Sequence, residues 1–251
     1  MGTKAIDPQS IRNVTIIGHP TDTARLAQRL LHGSGTTSLR WATDRVEHTI
    51  RVAELSSHAP MADLERSIRV ADGLIAVVNA ANSTPRLDTM LSVADDHQVA
   101  RLCVITSLDH PAADFDRCIR TIAETRGAVP LPLHIPLGTG PDFDGSIDLI
   151  PMWSLEELAA EFFGPHWIVA EHWYRTLIDT VLDQTPAGPL RDIPPAQLHR
   201  RIRTLTRIGE VVPVLCGAAP GSDDPTPLLD AIVRYLPSPL DVCQPEHALD
   251  Y

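Results

Sequence analysis

Apolar and polar positions in the first part of the chain follow two alternating patterns, one typical of buried strands and the other of helices. Val14–Gly18 reads as a buried strand, and Leu26, Leu30 and Leu31 recur at helical spacing within Thr23–Leu31. The same patterns predict strands at Arg51–Leu55, Leu74–Val78, Leu102–Thr106 and Leu131–Ile135, and helices at Ala62–Ala71, Pro85–His97 and Phe115–Arg126. This order predicts an α/β fold with a mostly parallel sheet and helices on both faces.

The organisation changes after Met152. Three helices are predicted in succession, at Ser154–Phe163, Trp167–Asp183 and Pro195–Ile208, before a strand at Val211–Cys216 and a helix at Pro227–Tyr235. The chain is therefore predicted to divide into a core at 1–152, an inserted helical subdomain at 153–210, the rest of the core at 211–242 and a tail at 243–251.

Composition excludes several classes of partner. The chain has 251 residues, with 32 acidic against 21 basic ones, and a net charge of −11. This balance provides no basic footprint for nucleic acid or an anionic membrane. The four cysteines form no Cys-x-x-Cys pair, no apolar run reaches the roughly 20 residues of a membrane span, and Met1–Ile11 has no signal-peptide pattern. The cytoplasm is the expected compartment.

Five segments carry a resemblance when they are taken in chain order. They are Arg12–His19, Leu64–Gly73, Ala113–Phe115, Phe143–Leu149 and Tyr235–Asp241. In that order they resemble the first strand, the second-switch helix, the residues after the guanine loop, the entry to an inserted subdomain and the end of the G domain of elongation factor G. The resemblance implies a P-loop GTPase-like fold, with GTP and magnesium as the ligands of the family.

The phosphate-binding loop departs from the family pattern. Where the family has Gly-Lys-Thr-Thr, this chain has Asp22-Thr23-Ala24-Arg25, in a loop that reads one residue short. Lys4 is the only lysine and precedes the first strand, so it supplies neither of the two lysines that the family uses for phosphate and guanine. Ala24 cannot ligate magnesium, and Asp22 adds a negative charge beside an anionic ligand.

The other nucleotide motifs depart as well. The first switch is compressed into Thr36–His48, and the Asp-x-x-Gly-His of the second switch reads Glu54–His58. The Asn-Lys-x-Asp loop reads Thr106–Asp109 and keeps only its aspartate, and the last guanine loop reads Ala218-Ala219. Losing charge-assisted contacts worth roughly 1.5–3 kcal/mol each predicts that tight GTP binding is gone.

Few residues remain as candidates for chemistry. The resemblance makes His58 the one catalytic candidate, since the family's histidine at this position orients the attacking water. His19, Asp22, Thr23 and Asp109 form the degenerate nucleotide crevice. Asp22 is expected to cap a helix that starts near Thr23, and Asp109 either to meet a guanine or to cap the next helix.

A metal site built from loop residues of this crevice is a further alternative. Its donors would be His19, Asp22, Glu54, His58 and Asp109. Their spacing matches no familiar metal motif, so no resident metal is expected. Because the nucleotide motifs are lost, no cofactor is expected either. GTP with magnesium stays open as the alternative.

These readings favour a pseudo-GTPase that acts as a protein-binding or scaffold module. The alternatives are a GTP-binding or GTPase switch with an unconventional site, and a repurposed enzyme or a subunit of a larger assembly; any GTP hydrolysis is expected to be weak. A protein partner or companion subunit is predicted, and a homo-oligomer is left open. Tyr235, Leu236 and Leu240 are expected to form an exposed apolar face for contact.

Overall fold

The computed structural model describes residues 7–31, 35–43, 46–127, 129–153, 156–182, 193–219 and 221–242. Lys4, Ser154, Asp183 and the tail 243–251 lie outside them. The strands are β1 Ile11–Gly18, β2 Ser38–Thr43, β3 Val46–Ser56, β4 Gly73–Asn79, β5 Ala100–Thr106, β6 Pro130–Pro132, β7 His134–Leu137, β8 Gly145–Asp148 and β9 Val212–Cys216. The helices are α1 Pro20–Leu30, α2 Met61–Arg69, α3 Leu87–Asp96, α4 Phe115–Ala123, α5 Leu149–Trp153, α6 Glu156–Phe163, α7 Pro165–Val181, α8 Pro195–Arg207, α9 Thr226–Tyr235 and α10 Pro239–Val242.

A seven-stranded sheet organises the molecule in the order β2-β3-β1-β4-β5-β9-β6. Only the β2–β3 pair is antiparallel, and every other neighbouring pair in this sheet is parallel. The first six residues of β4 and of β5 are buried without alternation, as expected of central strands that are covered on both faces. The predicted α/β class with a mostly parallel sheet is confirmed.

Two parts of the sheet differ from the sequence prediction. The region predicted as a compressed first switch contains β2, which pairs with the first half of a β3 that is twice as long as the predicted strand. The single strand predicted at Leu131–Ile135 is instead two strands, β6 and β7. Pro130 and Pro132 lack amide hydrogens, which suits β6 to the edge of the main sheet. β7 pairs with β8 in a separate two-stranded sheet.

An aromatic stack holds α5 and α7 together. Trp153 stacks on Trp167 with ring centroids 5.1 Å apart and on Tyr174 at 4.3 Å. All three rings are buried, and burial raises the pKa of Tyr174 to about 12. α7 also packs on β6 and β7, while α8 packs on β5, β9 and α9. Helices from the predicted insertion therefore share the hydrophobic core of the sheet.

The C-terminal helix α10 is anchored at the amino-terminal ends of the strands. Asp241 accepts hydrogen bonds from the Ser238 amide at 2.9 Å and from Arg203 at 3.0 Å, and it lies 3.4 Å from Arg207. Burial alone would raise the pKa of Asp241, but these hydrogen bonds and the two arginine charges lower it. Arg12, which is 3 % exposed, donates to the carbonyl of Val233 beside this cluster.

The expected apolar contact face at this end is wrong for two of its three residues. Tyr235 is 3 % exposed and Leu236 is fully buried, whereas Leu240 is 52 % exposed. Leu236 is buried because it packs on Gly73 at the start of β4, where the absence of a side chain lets it approach closely.

His48 on β3 predicts a pH dependence of stability. Burial and the charges of Arg12 and Arg203 lower the pKa of this histidine, which favours its neutral form in the folded protein. The unfolded chain binds the proton more readily, and stability is therefore retained above the ordinary pKa of about 6.5 and lost as the pH falls through it. Urea unfolding at several pH values should show this loss, with a slope of at most about 1.4 kcal/mol per pH unit from this group. His48→Leu should flatten the dependence and the exposed His97→Leu should not; equal slopes in both variants would contradict the assignment.

None of the helices in the described part of the chain is long and apolar enough to cross a lipid bilayer.

Candidate functional site

The loops that carry the predicted site residues meet at the carboxyl edge of the sheet. β1 ends at Gly18, β3 at Ser56 and β5 at Thr106, and these strands are parallel members of one sheet. His19, His58 and Asp109 follow these three strand ends. In open α/β sheets, ligands bind in the crevice outside this edge.

A single residue, His19, connects β1 to α1. The helix begins at Pro20, with His19 at the N-cap position and making no side-chain capping bond. Proline suits the first helical position because its ring fixes the backbone angle and no amide hydrogen is needed there. The amides of Asp22 and Thr23 donate to the carbonyl of His19, both at 3.0 Å. The prediction that Asp22 caps a helix starting at Thr23 is therefore wrong, because the helix starts three residues earlier.

Asp22 lies in the first turn of α1 and faces into the protein. It is 8 % exposed, and its Oδ2 accepts a hydrogen bond from Asn79 Nδ2 at 3.0 Å. The same Nδ2 lies 3.2 Å from Ser107 Oγ, and Asn79 Oδ1 accepts the amides of Ala81 and Asn82. The Asn79 amide thus links the start of α1 to the loops after β4 and β5. A carboxylate in the first turn also complements the positive end of the helix dipole.

Thr23, the remaining residue of the predicted crevice on α1, turns back to its own helix. It is 3 % exposed, and its hydroxyl contacts the carbonyls of Pro20 at 3.0 Å and of His19 at 3.3 Å. This hydroxyl is therefore engaged locally at the point where the family places a lysine.

His19 and His58 come together at the mouth of the crevice. Their ring centroids are 5.4 Å apart and the rings are perpendicular. His19 Nδ1 lies 2.8 Å from Thr21 Oγ1, and the amide of His58 donates to Ser56 Oγ at 3.1 Å. Between them, the Ser57 amide donates to the carbonyl of Gly18 at 2.8 Å. The Ser57 hydroxyl is fully buried and has no hydrogen-bond partner among the described residues.

A cavity of about 150 Å³ lies in the crevice beside the loop that follows β5. Asp22, Ser107 and Asp109 line it together with residues 217–219. His19 and Thr23 do not line this cavity, so the four predicted crevice residues are divided between two places.

Two arginines of this cavity were missed by sequence reasoning. Arg25 and Arg29 line it from α1, and Arg29 Nε lies 3.7 Å from the carboxylate of Asp223. Their spacing of four residues puts them on one helix face, and Arg25 is itself the last of the four residues that replace the end of the phosphate loop. That spacing was the signal that could have found them. They bring positive charge to a cavity that also contains carboxylates.

A second cavity of about 150 Å³ is also lined by residues 217–219. Leu26, Val104 and Leu215 line it together with His134 and Cys216.

The thiols of the core are unsuited to nucleophilic chemistry, because burial raises the pKa of Cys103 to about 12 and that of Cys118 to about 11, and it raises the pKa of Cys216 as well.

The crevice does not gather the five residues of the alternative metal site. Within the described ranges, no group of three or more histidine, cysteine, aspartate or glutamate side chains is arranged to hold a metal ion. His19 and His58 are neighbours, while Asp22 is hydrogen-bonded to Asn79.

The comparisons with known proteins fit this geometry. A family description, "Elongation factor Tu GTP binding domain", matches residues 60–238. The chain belongs to this family of GTP-binding domains. Elongation factor G of Fervidobacterium nodosum is 34 % identical to it over 228 residues, which is 83 % of this chain and 32 % of that protein. The chain thus spans about a third of the length of this relative.

A solved structure supports the same fold. A protein of Thermus thermophilus, known from a crystal structure, superposes with a TM-score of 0.69 at 18 % identity. The match covers 93 % of this chain and 41 % of that one. The predicted resemblance to the G domain of elongation factor G is confirmed at the level of family and fold.

Proposed function

We propose that this member of the GTP-binding domain family is a pseudo-GTPase that works as a protein-binding module. One observation supports this most strongly: β1 passes into α1 through His19 alone, and the first turn of the helix carries the buried carboxylate of Asp22. A phosphate bound at a helix N-terminus needs free amides and a positive environment. This helix provides an internal negative charge instead.

The loss of charged and metal-binding side chains at the phosphate site favours weak phosphate binding. Thr23 stands where the family has lysine and Ala24 where it has a magnesium-binding threonine. Each lost charge-assisted contact costs about 1.5–3 kcal/mol, so two losses together reduce affinity by roughly 10²- to 10⁴-fold. Repulsion from Asp22 adds to this cost.

The second switch supports the same proposal. Ser57 replaces the glycine of the family, and its buried amide is already bonded to the carbonyl of Gly18. That amide is therefore unavailable to a γ-phosphate in this conformation. His58 contacts His19 and would have no phosphate to act upon, so it is proposed as a residue without a catalytic role.

The proposal also assigns a role to the core and to the inserted helices. We propose that the core at 1–152 and 211–242 is a scaffold and that the helices within 153–210 provide contact surface. The free, buried cysteines of the described residues, Cys103, Cys118 and Cys216, suit a reducing compartment such as the cytoplasm. A protein partner or companion subunit would bind this surface.

A GTP-binding switch with an unconventional site is the second candidate. Arg25 and Arg29 favour it, since both line the cavity that contains Asp109. Arginine can pair with phosphate oxygens through two parallel hydrogen bonds. In this alternative, the two arginines would replace the missing lysine.

Thermal melting with nucleotide separates the two candidates. A ligand at 100 times its Kd stabilises a protein by about 2.7 kcal/mol, which raises the Tm by several degrees at this size. With GTP and magnesium at about 1 mM, we expect no rise in Tm and no hydrolysis above a buffer control.

The matched control is Arg25→Ala, melted under the same conditions. A magnesium-dependent rise in the native protein that disappears in Arg25→Ala would establish the unconventional switch and refute the pseudo-GTPase. A rise retained in Arg25→Ala would refute the pseudo-GTPase and also remove this arginine from the site.

A further inference from the structure

A cavity of about 480 Å³ lies at the amino-terminal edge of the sheet, the edge opposite the crevice. Asp72 and Val99, which line it, immediately precede β4 and β5. Its volume falls within the range of about 300–1,000 Å³ that is typical of small-molecule sites. This amino-edge cavity shares no lining residue with the cavity of the crevice, so it is a separate candidate for a ligand.

Two opposite charges in the amino-edge cavity have no ion-pair partner within the described part of the chain. Asp72 Oδ2 accepts hydrogen bonds from the side chain and the amide of Asn13, at 2.7 and 3.3 Å, and its other carboxylate oxygen accepts none there. Burial raises the pKa of Asp72 despite these hydrogen bonds. The exposed guanidinium of Arg69 forms no hydrogen bond or ion pair with the described residues. The other charges of the cavity, Arg207 and Asp241, lie 3.4 Å apart and neutralise each other.

The carboxyl ends of three helices border the same cavity. Residues at the ends of α2, α3 and α8 line it, and the carbonyl end of a helix carries a partial negative charge that attracts cations. Arg69 and Arg207 supply a positive charge to the last turns of α2 and α8, whereas the last turn of α3 contains no basic residue. The end of α3 and Asp72 thus favour a positive group in the cavity, and Arg69 favours a negative one.

Gln98, at the end of α3, has a strained backbone with a φ of 53°. Its amide donates to the carbonyl of Asp95 and the amide of Val99 donates to the carbonyl of Ala94, which are the hydrogen bonds of a Schellman motif. Glycine is the usual residue at this position, and α8 ends in the same motif with Gly209 at a φ of 79°. The Gln98 side chain lines the cavity and has no hydrogen-bond partner among the described residues. Strain of this kind is typical of residues that are retained for function.

Apolar side chains complete the lining of the cavity. Ile208 is 58 % exposed and Val242 is 45 % exposed, and both line the cavity together with the buried Val99 and Pro237. Small-molecule sites combine apolar walls of this kind with a few polar groups that fix the orientation of the ligand. The cavity therefore suits a ligand that has an apolar body as well as its charges.

We propose that the amino-edge cavity binds a small zwitterion of the amino acid class with an apolar side chain. The ammonium group would contact Asp72 and the carbonyl end of α3. The carboxylate would contact Arg69 and the side-chain amide of Gln98, and the apolar body would lie against Ile208 and Val242. The site is at the edge of the sheet opposite the crevice, so the inference goes beyond the proposed pseudo-GTPase role and does not depend on whether GTP binds.

Thermal melting of the full chain, followed by calorimetric titration, tests the proposal with L-leucine and L-phenylalanine. At about 10 mM, a ligand with a Kd of about 0.1 mM raises the Tm of a protein of this size by several degrees. Two analogues of leucine separate the two charges: 3-methylbutylamine lacks the carboxylate, and 4-methylpentanoate lacks the ammonium group. Each analogue should bind at least about tenfold more weakly than leucine, because it loses one charge-assisted contact.

Three variants test the residues of the cavity. Arg69→Gln and Asp72→Asn should each weaken leucine binding at least about tenfold. Arg66→Gln is the matched control, because Arg66 is an exposed arginine of the same helix that does not line the cavity. Gln98→Gly should raise the Tm of the ligand-free protein, since glycine relieves the strained backbone, and it should also weaken leucine binding.

Circular dichroism establishes that each variant is folded, and the exposed Arg69 provides a substitution that does not disturb the core if Asp72→Asn is unstable. No rise in Tm with either amino acid would overturn the proposal, as would equal binding of leucine and its two analogues. Native affinity in Arg69→Gln, or a loss of binding in Arg66→Gln instead, would overturn it too. A Gln98→Gly variant that is more stable and still binds leucine with native affinity would contradict the contact with Gln98. None of these results alters the nucleotide prediction, since the two cavities share no lining residue.

Discussion

Leu236→Asp is expected to leave no stable folded protein at 25 °C, whereas Leu240→Asp is expected to fold normally. The two leucines are four residues apart, but Leu236 is fully buried and Leu240 is 52 % exposed. Removing a buried leucine side chain costs about 2–5 kcal/mol through the lost contacts and the cavity. An unpaired carboxylate in the same place adds the cost of burying a charge. The sum approaches or exceeds the whole stability of a typical domain, about 5–15 kcal/mol.

The packing of Leu236 explains why no rearrangement relieves this loss. A Cβ on Gly73 would lie 2.9 Å from Leu236 Cδ1, so the leucine lies directly against the backbone at the start of β4. Its amide donates to the carbonyl of Ile232 at the end of α9. Leu236 thus fixes α9 against a central strand, and a charged side chain there has no solvent to reach.

Urea unfolding followed by circular dichroism measures both variants. Leu240→Asp should fall within about 0.5 kcal/mol of the native free energy of unfolding, as exposed substitutions usually do. Leu236→Ala, a milder change, keeps the comparison quantitative if the aspartate variant does not fold. Equal stability of Leu236→Ala and Leu240→Asp would contradict the burial of Leu236. Leu240 also remains a predicted contact residue for a partner, which pull-down with Leu240→Asp can examine without loss of folding.

The strands at the centre of the sheet were predictable because burial on both faces leaves an unbroken apolar signal. β4 and β5 appear in the sequence as Leu74–Val78 and Leu102–Thr106, within two residues of their true bounds. β2 was not predicted, because none of the residues in Ser38–Thr43 is fully buried, although exposed and half-buried positions alternate along it. Its position is determined by antiparallel pairing with β3, and this pairing cannot be predicted from the local pattern of apolar and polar residues.

The arrangement of the crevice could be predicted only in outline. The order of the strands was enough to put His19, His58 and Asp109 at one edge. The predicted start of α1 was wrong because Asp22 is a good capping residue, whereas the helix begins at Pro20, a residue type that suits the first helical position. The contact of Asp22 with Asn79 joins residues 57 positions apart, and the contact of His19 with His58 joins two loops. Such contacts follow from the packing of the whole sheet.

Tyr235 and Leu236 show a limit of reasoning by resemblance. They belong to the segment that resembles the end of the G domain of elongation factor G, and this resemblance suggested an uncovered face. The local signal was different: Tyr235 and Leu236 end an amphipathic helix whose apolar side faces the sheet. In this chain both side chains are buried by the domain itself.

The apolar pattern that predicted the strand Leu102–Thr106 did not predict that Arg101 is a buried residue of the same strand. It is the second residue of β5 and is followed by four apolar residues and a threonine, so its charge appeared to mark the edge of the strand. In the structure it is 1 % exposed. A buried charge of this kind is retained only when it is paired and hydrogen-bonded.

The partners of Arg101 join three elements. Its guanidinium donates to Asp95 Oδ1 at 2.8 Å, to the carbonyl of Leu91 at 3.2 Å on α3, and to the carbonyl of Gly209 at 2.7 Å after α8. Gly209 has a φ of +79°, and a side chain there would come within 3.2 Å of the guanidinium. The ion pair therefore connects α3 and the turn after α8 to the central strand.

Arg101→Ala is accordingly expected to lower the free energy of unfolding by about 3–5 kcal/mol, the range measured when one partner of a buried ion pair is removed. The exposed pair of Arg126 with Asp96 provides a control of the same chemistry, and Arg126→Ala should cost less than about 1 kcal/mol because solvent already screens that pair. Arg101→Met should recover part of the loss, since it restores apolar packing but not the hydrogen bonds.

Urea unfolding of the three variants measures these differences in the free energy of unfolding. If Arg101→Ala and Arg126→Ala cost the same, Arg101 is solvated in solution and does not hold α3 and the α8 turn to the sheet; if Arg101→Met is as stable as the native chain, its contribution is packing alone.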